Sequence, residues 1–328
     1  MGGKVTQPAT GGRREDGPVL EVDSLEKELG GRRVLRGFGM TVPRGAVYGL
    51  IGANGAGKTT TLRVLATLLK PDGGVVKVDG VDLREAVREV RRKIGYMPET
   101  FGFPLGITVR ECLGFYARAF EVPTRNLNGV VDDVLEVVDL SDRRDDLVES
   151  LSKGMRQKLA LARALVHDPQ ILLLDEPAAS LDPRARYELR ILLLELNRIG
   201  KTIVISSHIL PDLTDFCTHV GFLHRGRMAA CGTLEEVGRH WRLLRRFRVR
   251  FMAEPARAHL RLLQAPYVER VEVGGLVLEF DYAGTEEEFS RLLVDLGREG
   301  LLFNRVEEVS SGLDRLFFHM LEEEEAGA

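Results

Sequence analysis

The sequence predicts an α/β fold with a parallel sheet, followed by a smaller α+β domain. The first observation is that short aliphatic runs, "QILLLDEP" and "KTIVISSH", flank a helix-like segment, "PRARYELRILLLELNRIG". Continuous aliphatic runs are typical of strands in parallel sheets that are covered by helices on both faces. The second is an apolar strand that enters a glycine loop, "AVYGLIGANG", and the third is a change of pattern after about residue 237.

The elements of the first part follow in order. Residues 1–18 are rich in glycine, proline and charge without an apolar period, which predicts a flexible tail. The segment "KTTTLRVLATLLK" has leucines at helical spacing, "PDGG" predicts a turn and "VVKVDGVDL" alternates like a strand. Residues 108–122 and 129–139 predict helices. We therefore expect one domain over 19–236, with a helical insertion at about 100–160.

Residues 245–321 predict a second, smaller α/β domain. Its segments are "FRVRF" as a strand, "ARAHLRLLQA" as a helix, "VERVEVGGLVLEFD" as a hairpin turning at Gly274-Gly275, "EEEFSRLLVDLG" as a helix and "LLFNRVEEV" as a strand. This order is the split βαβ arrangement. The segment "LDRLFFHML" predicts a last helix that docks on its own domain or on a second copy, and 322–328 predict an acidic tail.

Composition excludes several classes of function. The chain has 328 residues and a formal net charge of −3, which argues against a dedicated nucleic-acid binder. Its three cysteines lack metal-ligand spacing, which favours a reduced, cytoplasmic protein. No apolar run approaches the roughly 18 residues of a membrane helix, so we expect any membrane work to go through a partner. The basic run "RHWRLLRRFRVR", with Trp241, is interpreted as a solvated face rather than a lipid contact.

Residues 52–59, "GANGAGKT", fit the phosphate-binding pattern G-x-x-x-x-G-K-[ST] between a strand and a helix. The glycines let backbone N–H groups converge on phosphate oxygens, and Lys58 adds a positive charge toward the β- and γ-phosphates. The Thr59 hydroxyl can bind Mg²⁺. The predicted nucleotide contacts of this loop are Gly52, Asn54, Gly55, Ala56, Gly57, Lys58, Thr59 and Thr60.

Acidic residues follow the aliphatic strand "ILLL". Asp175 is the expected partner of Mg²⁺ through its water, and Glu176 is the candidate to orient or deprotonate the attacking water. His208 ends the strand "TIVISSH", where a γ-phosphate contact is favoured over a structural role. His167 and His219 are interpreted as structural.

A second candidate phosphate contact lies at the start of the helix-like segment "LSKGMRQKLA". Ser152 and Gly154 stand at its beginning. A serine there often only caps the helix, and this alternative stays open on local sequence alone. The segment lies shortly before the acidic strand, and "ASLDP" follows that strand directly, which favours a functional role.

The order of "GANGAGKT", "IGYMPE", "LSKGM", "ILLLDEP", "ASLD" and His208 resembles the ATP-binding subunits of ABC transporters. The wording of "LSKGMRQKLALARAL", "TVREC" and "ISSHIL" is most similar to the multidrug and antibiotic exporter branch that includes daunorubicin-resistance subunits. The resemblance covers residues 19–236 and, more loosely, the C-terminal domain. It implies a P-loop NTPase fold of ABC type: a RecA-like parallel core, an antiparallel β part and a helical insertion.

The resemblance also implies a mechanism with ATP and Mg²⁺. Two ATPase subunits, expected here as a homodimer, pair head to tail, and Ser152 and Gly154 would contact the γ-phosphate bound in the partner's P-loop. Asp182 would lie along the dimer interface and link the two sites, and Glu99 would contact the metal. A separate integral membrane permease would attach to the helical insertion. The chain would then be cytoplasmic and peripheral on the inner face of the cell membrane, with no nucleic-acid partner expected.

Lys153 and Met155 depart from the commoner LSGGQ wording of the family, although Ser152 and Gly154, which carry the contacts, are present. Two positions expected to contact the metal or the nucleotide also depart from the family pattern. Glu99 stands where the family usually has glutamine, and Leu29 stands where an aromatic ring usually stacks on adenine. Phe38 and Tyr48 are interpreted as core residues rather than replacements for that ring.

Two other classes of function fit the sequence less well. A soluble, non-transport ABC ATPase acting on the ribosome or on nucleic acid is disfavoured, because the chain has one cassette and no long heptad run. A module that switches on ATP without hydrolysis would lack Glu176 or His208, and both are present.

Overall fold

The computed structural model describes residues 17–179, 181–209, 213, 216–240 and 245–310. The predicted tail up to residue 16, Trp241, the predicted last helix and the acidic tail lie outside the described residues. Contacts divide the chain into two compact units, one of Met1–Tyr48 with Thr59–Ile205 and one of Gly49–Lys58 with Ser206–Ala328. Within the described part of the chain, no helix combines the length and apolar character needed to cross a membrane.

The described strands are β1 (Leu20–Leu29), β2 (Arg32–Val42), β3 (Val47–Ile51), β4 (Gly73–Val78), β5 (Val81–Asp82), β6 (Ile94–Met97), β7 (Ile171–Leu174), β8 (Thr202–Ser207), β9 (His219–His224), β10 (Arg227–Thr233), β11 (Arg245–Phe251), β12 (Val268–Gly274), β13 (Val277–Tyr282) and β14 (Phe303–Ser310). The described α-helices are α1 (Lys58–Leu65), α2 (Val87–Lys93), α3 (Val109–Ala119), α4 (Leu127–Val137), α5 (Lys153–Leu165), α6 (Pro183–Arg198), α7 (Leu234–His240), α8 (Pro255–Leu263) and α9 (Glu286–Arg298). Short 3₁₀ turns cover Thr124–Asn126, Ser141–Arg143 and Val148–Ser150.

The predicted parallel sheet is confirmed. The strands of this sheet hydrogen-bond in the order β10-β9-β3-β8-β7-β6. β6, β7 and β8 run parallel, with Ile94 opposite Ile171 and Ile171 opposite Thr202. All four side chains of β7 are completely buried, which explains why its sequence is an unbroken aliphatic run. Since parallel strands end at the same edge, the residues that follow β7 and β8 emerge on the side where ligands bind in such sheets.

A separate antiparallel sheet of order β2-β1-β4-β5 is the antiparallel part that the resemblance implies. Phe38 has no exposed surface and Tyr48, on β3, is 1% exposed, so both are core residues as predicted.

The helices follow the predicted segments, with one difference. α1 ends at Leu65, although the leucine spacing predicts helix as far as Leu69. Thr67 adopts a left-handed conformation with φ of 61°, and its N–H donates to the carbonyl of Val64, three residues back, rather than to that of Arg63, four residues back as in an α-helix. This local turn ends the helix. In the predicted insertion, α3 begins with a capping box in which Thr108 and Glu111 satisfy each other's backbone N–H groups.

The C-terminal sheet has the strand order β12-β13-β11-β14, antiparallel throughout. With α8 after β11 and α9 after β13, this is the predicted split βαβ arrangement. Its core includes Phe247, Phe280 and Leu296. The hairpin turns one residue later than predicted: Gly274 still pairs with Val277, and Gly275 takes the left-handed turn position with φ of 67°.

The arginines of β11 explain the basic run in the sequence. The Arg246 Nε donates to the Glu279 carboxylate over 3.0 Å, and Arg248 donates to the other oxygen of the same carboxylate over 2.7 Å. Arg245 pairs with Glu308 on β14 at 2.7 Å. Arg245, Arg246 and Arg248 therefore bind carboxylates of this sheet, as is expected of a solvated face.

Candidate nucleotide-binding site

The glycine loop begins directly after β3, and its first glycine is required by packing. A Cβ atom at Gly52 would lie 2.4 Å from the carbonyl oxygen of Leu223. The Gly52 N–H also donates to the carbonyl of Ser207, at the end of β8, over 3.4 Å. Gly55 and Gly57 have φ values of 87° and 116°, which strain any other residue. The loop conformation therefore depends on glycine at all three positions.

The side chain of Lys58 closes this loop. It is 5% exposed, and its ammonium donates to the carbonyl oxygens of Gly52 at 2.6 Å and Ala53 at 3.1 Å. The loop therefore curves around a fixed positive charge, as an anion-binding site requires. Of the other residues predicted to contact the nucleotide, Asn54 and Gly55 are exposed, whereas Ala56 and Thr60 are buried.

Thr59 connects the start of α1 to the acidic strand end. Its Oγ1 donates to Oδ1 of Asp175 over 3.1 Å, and Asp175 is completely buried. The backbone N–H of Asp175 is fixed by the carbonyl of Met97, at the end of β6, over 2.9 Å. A hydroxyl beside a buried carboxylate is a set of hard oxygen donors, which suits Mg²⁺.

Tyr96 also faces this carboxylate, and sequence reasoning missed it. Its hydroxyl donates to Oδ2 of Asp175 over 3.5 Å. Burial, followed by the negative charge of Asp175, raises the pKa of Tyr96 to about 12, so the hydroxyl keeps its proton at neutral pH. The only sequence signal was its place in "IGYMPE", at the end of a strand next to the acidic one.

Glu176 follows Asp175 with an unusual backbone conformation. It is 7% exposed and has a φ of 48°, in the left-handed region that costs a residue with a side chain about 1–2 kcal/mol. The carbonyl of Glu176 accepts the N–H of Ala179 over 3.0 Å, which closes the turn after the strand. Backbone strain of this kind occurs at functional sites, and it also occurs in ordinary turns such as that at Thr67.

His208 lies directly after β8 and is half-buried. The residues on either side of His208 are hydrogen-bonded to each other: the Ser207 hydroxyl accepts the N–H of Ile209 over 2.9 Å. The backbone carbonyl of Ser207 accepts the N–H of Gly52, so His208 follows its strand next to the start of the glycine loop. The other histidines have local contacts: His167 Nε2 donates to the carbonyl of Ile94 over 3.0 Å, and its ring stacks on that of Phe120. His219 pairs with Thr218.

Ser152 is the N-cap of α5. Its hydroxyl oxygen accepts the N–H of Met155 over 3.3 Å, so the capping role is real. The residue is exposed, and a hydroxyl retains a donor and a second lone pair for another contact. Gly154 differs from Gly52, since a Cβ atom there would meet nothing within 4 Å. Packing within the part of the chain that the structure describes therefore does not require this glycine.

Asp182 is the N-cap of α6, accepting the N–H of Ala185 over 2.9 Å. A cavity of about 440 Å³ lies between the starts of α5 and α6, and Ser152, Gly154 and Asp182 all line it. The buried Gln157 amide donates to the carbonyl of Pro177, so α5 is tied to the turn after Glu176. This contact between residues 20 positions apart is not evident from the sequence.

The two positions that are expected to contact the metal or the nucleotide and depart from the family pattern are both exposed. Glu99 follows β6 by two residues. Leu29 ends β1 and is 39% exposed. An exposed aliphatic side chain is free to pack against a ligand.

Comparison with known proteins identifies the family. The ABC transporter family model matches residues 35–179. The chain is 36% identical to the Nod factor export ATP-binding protein I of Ralstonia nicotianae over 81% of this chain and 82% of that protein. It is 32% identical to the bacitracin transport ATP-binding protein of Bacillus licheniformis over 88% of this chain and 94% of that protein.

Solved structures agree with these relatives. The structure of an ATP-binding subunit of an ABC transporter superimposes with a TM-score of 0.62 and 32% identity, covering 68% of this chain and 93% of that one. A subunit of a Clostridium perfringens ABC transporter complex matches with a TM-score of 0.61 and 29% identity, over 68% of this chain and 91% of that one. With its nucleotide loop, acidic strand end and capped helix α5 in the family's order, the chain belongs to the ABC transporter family as an ATP-binding, ATP-hydrolysing subunit.

Proposed function

We propose that this chain powers export through a separate integral membrane permease, to which it binds at the inner face of the cell membrane. Relatives named for the export of Nod factor and the transport of bacitracin support this direction of transport. In this proposal residues 19–236 form the ATPase domain, with the permease docked on the insertion at about 100–160. Residues 245–321 form an accessory domain.

The observation that carries the proposed chemistry is the 3.1 Å contact between Thr59 and Asp175. These two residues, with Glu99, would hold Mg²⁺, which neutralises phosphate charge when it is bound. The loop from Gly52 to Thr60 binds the phosphates, and the strained backbone of Glu176 directs its carboxylate toward the attacking water. His208 contacts the γ-phosphate from the end of β8.

We propose a homodimer in which each α5 serves the partner's nucleotide. Ser152, Gly154 and Asp182 line one cavity, and Gly154 has open space around it. A glycine that intramolecular packing does not need is consistent with close approach by a ligand from another chain. The N–H groups and hydroxyl at the start of α5 are suitable donors for phosphate oxygens.

A pull-down tests the transporter proposal. Tagged Glu176→Gln chain is added with Mg-ATP to detergent-solubilised native membranes, and the bound proteins are identified by mass spectrometry. The proposal expects a polytopic membrane protein in near-equal amount. Recovery of only soluble proteins, ribosomes or nucleic acid would contradict the proposal and favour a non-transport ATPase. The wild-type chain without nucleotide is the control for contacts that do not depend on ATP.

A further inference from the structure

Both oxygens of the Asp175 carboxylate have a hydroxyl neighbour. Thr59 Oγ1 donates to Oδ1 over 3.1 Å, and the Tyr96 hydroxyl faces Oδ2 over 3.5 Å. The carboxylate is completely buried, and the backbone N–H of Asp175 donates to the carbonyl of Met97 over 2.9 Å. A buried carboxylate of this kind has its rotation set by the donors around it.

Arg63 supports the second of these contacts. It lies on α1, four residues after Thr59, so the two side chains project from the same face of the helix. Burial and the charge of Asp175 raise the pKa of Tyr96, and hydrogen bonding from Arg63 lowers it, which indicates that the guanidinium lies beside the Tyr96 hydroxyl. A guanidinium has only donors, so the tyrosine oxygen accepts from Arg63 and its own proton remains available for Asp175.

We propose that Arg63 and Tyr96 form a positioning relay through which α1 fixes the second oxygen of Asp175, while Thr59 fixes the first. This inference rests on the proposed role of Asp175 as a partner of Mg²⁺. The relay holds the carboxylate in the rotation that the metal site needs. Tyr96 and Arg63 are positioning residues, since neither has to touch the nucleotide.

The test measures how metal ion strengthens nucleotide binding. A fluorescent, non-hydrolysable ATP analogue is bound to the full chain, first in EDTA and then with Mg²⁺ titrated at a fixed analogue concentration. Tyr96→Phe removes one hydroxyl and should raise the Mg²⁺ concentration at half-saturation about three- to tenfold, the effect of one hydrogen bond. Binding in EDTA should stay unchanged. A Tyr96→Phe titration that coincides with that of the wild type would overturn the relay.

Two further variants separate positioning from a loss of folding. Tyr116→Phe removes a half-buried tyrosine hydroxyl on α3, which lies against Arg163 instead, and should leave the Mg²⁺ titration unchanged. Arg63→Gln changes an exposed side chain and should shift the titration in the same direction as Tyr96→Phe. Because Arg63 acts through Tyr96, adding Arg63→Gln to Tyr96→Phe should produce no further shift. Two shifts that multiply would show independent effects and overturn the relay.

The same titration distinguishes this inference from the proposed function. If Mg²⁺ does not strengthen analogue binding to the wild-type chain, the proposed metal site fails, and the relay fails with it. If the wild type responds to Mg²⁺ and Tyr96→Phe responds equally, only the relay fails. Replacing Mg²⁺ by Mn²⁺ and recording its electron paramagnetic resonance spectrum reports the same site without any hydrolysis.

Discussion

Gly154→Ala should stabilise the isolated chain and weaken its ATP-dependent pairing. The backbone of Gly154 has an ordinary φ, and an added Cβ atom would meet nothing within 4 Å. Replacing glycine by alanine at a compatible position stabilises a protein by about 0.4–1 kcal/mol, chiefly because the unfolded chain loses freedom. Nothing in the packing of the described residues opposes this gain.

The substitution should reduce the free energy of pairing only when the nucleotide bound to a second chain contacts the start of α5. A methyl group forced into a close contact typically costs about 1–3 kcal/mol, which weakens pairing by about 5- to 150-fold for each of the two sites of the dimer. Pairing is measured by light scattering across a range of chain concentrations, with Mg-ATP and in the Glu176→Gln background. The urea midpoint of the monomer is measured without nucleotide.

Gly129→Ala is the matched control, because Gly129 also lies in the first turn of a helix, α4, and has nothing within 4 Å. It should give a similar gain in stability and unchanged pairing. If Gly154→Ala pairs with ATP as tightly as Gly129→Ala does, the argument that Gly154 is reserved for close approach by a partner's nucleotide is refuted.

Three other predictions follow from the site. Glu176→Gln should bind Mg-ATP but hydrolyse it very slowly, and near-normal phosphate release would remove Glu176 as the base. Gly52→Ala should lower the free energy of unfolding by about 1–3 kcal/mol, and with it the urea midpoint, because the added Cβ atom would lie 2.4 Å from the carbonyl oxygen of Leu223. An unchanged midpoint would contradict that clash. Leu29→Tyr should tighten ATP binding measured by calorimetry if the 39% exposed leucine covers adenine, and equal affinity would mean that another residue covers the base.

Local patterns predicted much of the fold because each depends on neighbouring residues. The buried strand β7 was evident from "ILLL", and the nucleotide loop from glycine spacing between a strand and a helix. The split βαβ order followed from alternating strands and amphipathic helices. Errors occurred where backbone geometry acts against periodicity: α1 ends at Leu65 although the leucine spacing continues, because Thr67 adopts a left-handed turn.

Contacts between distant residues were not predictable in the same way. Tyr96 and Asp175 are 79 positions apart, and Gln157 and Pro177 are 20 apart. Only the parallel pairing of β6 with β7 brings the tyrosine beside the carboxylate. The sequence identified the acidic residue but not the side chains that orient it.

By itself, the sequence determined the family, the nucleotide loop and the residues that begin α5, because these depend on residue types at fixed short spacings. The tertiary structure decided what each glycine is for. In the sequence, Gly52 and Gly154 are both glycines of a motif and nothing distinguishes them. In the structure, a Cβ atom added at Gly52 would clash with the carbonyl of Leu223, whereas one added at Gly154 would meet nothing within 4 Å. That difference exists only once distant strands and helices have packed, because steric clash depends on which atoms are near in space.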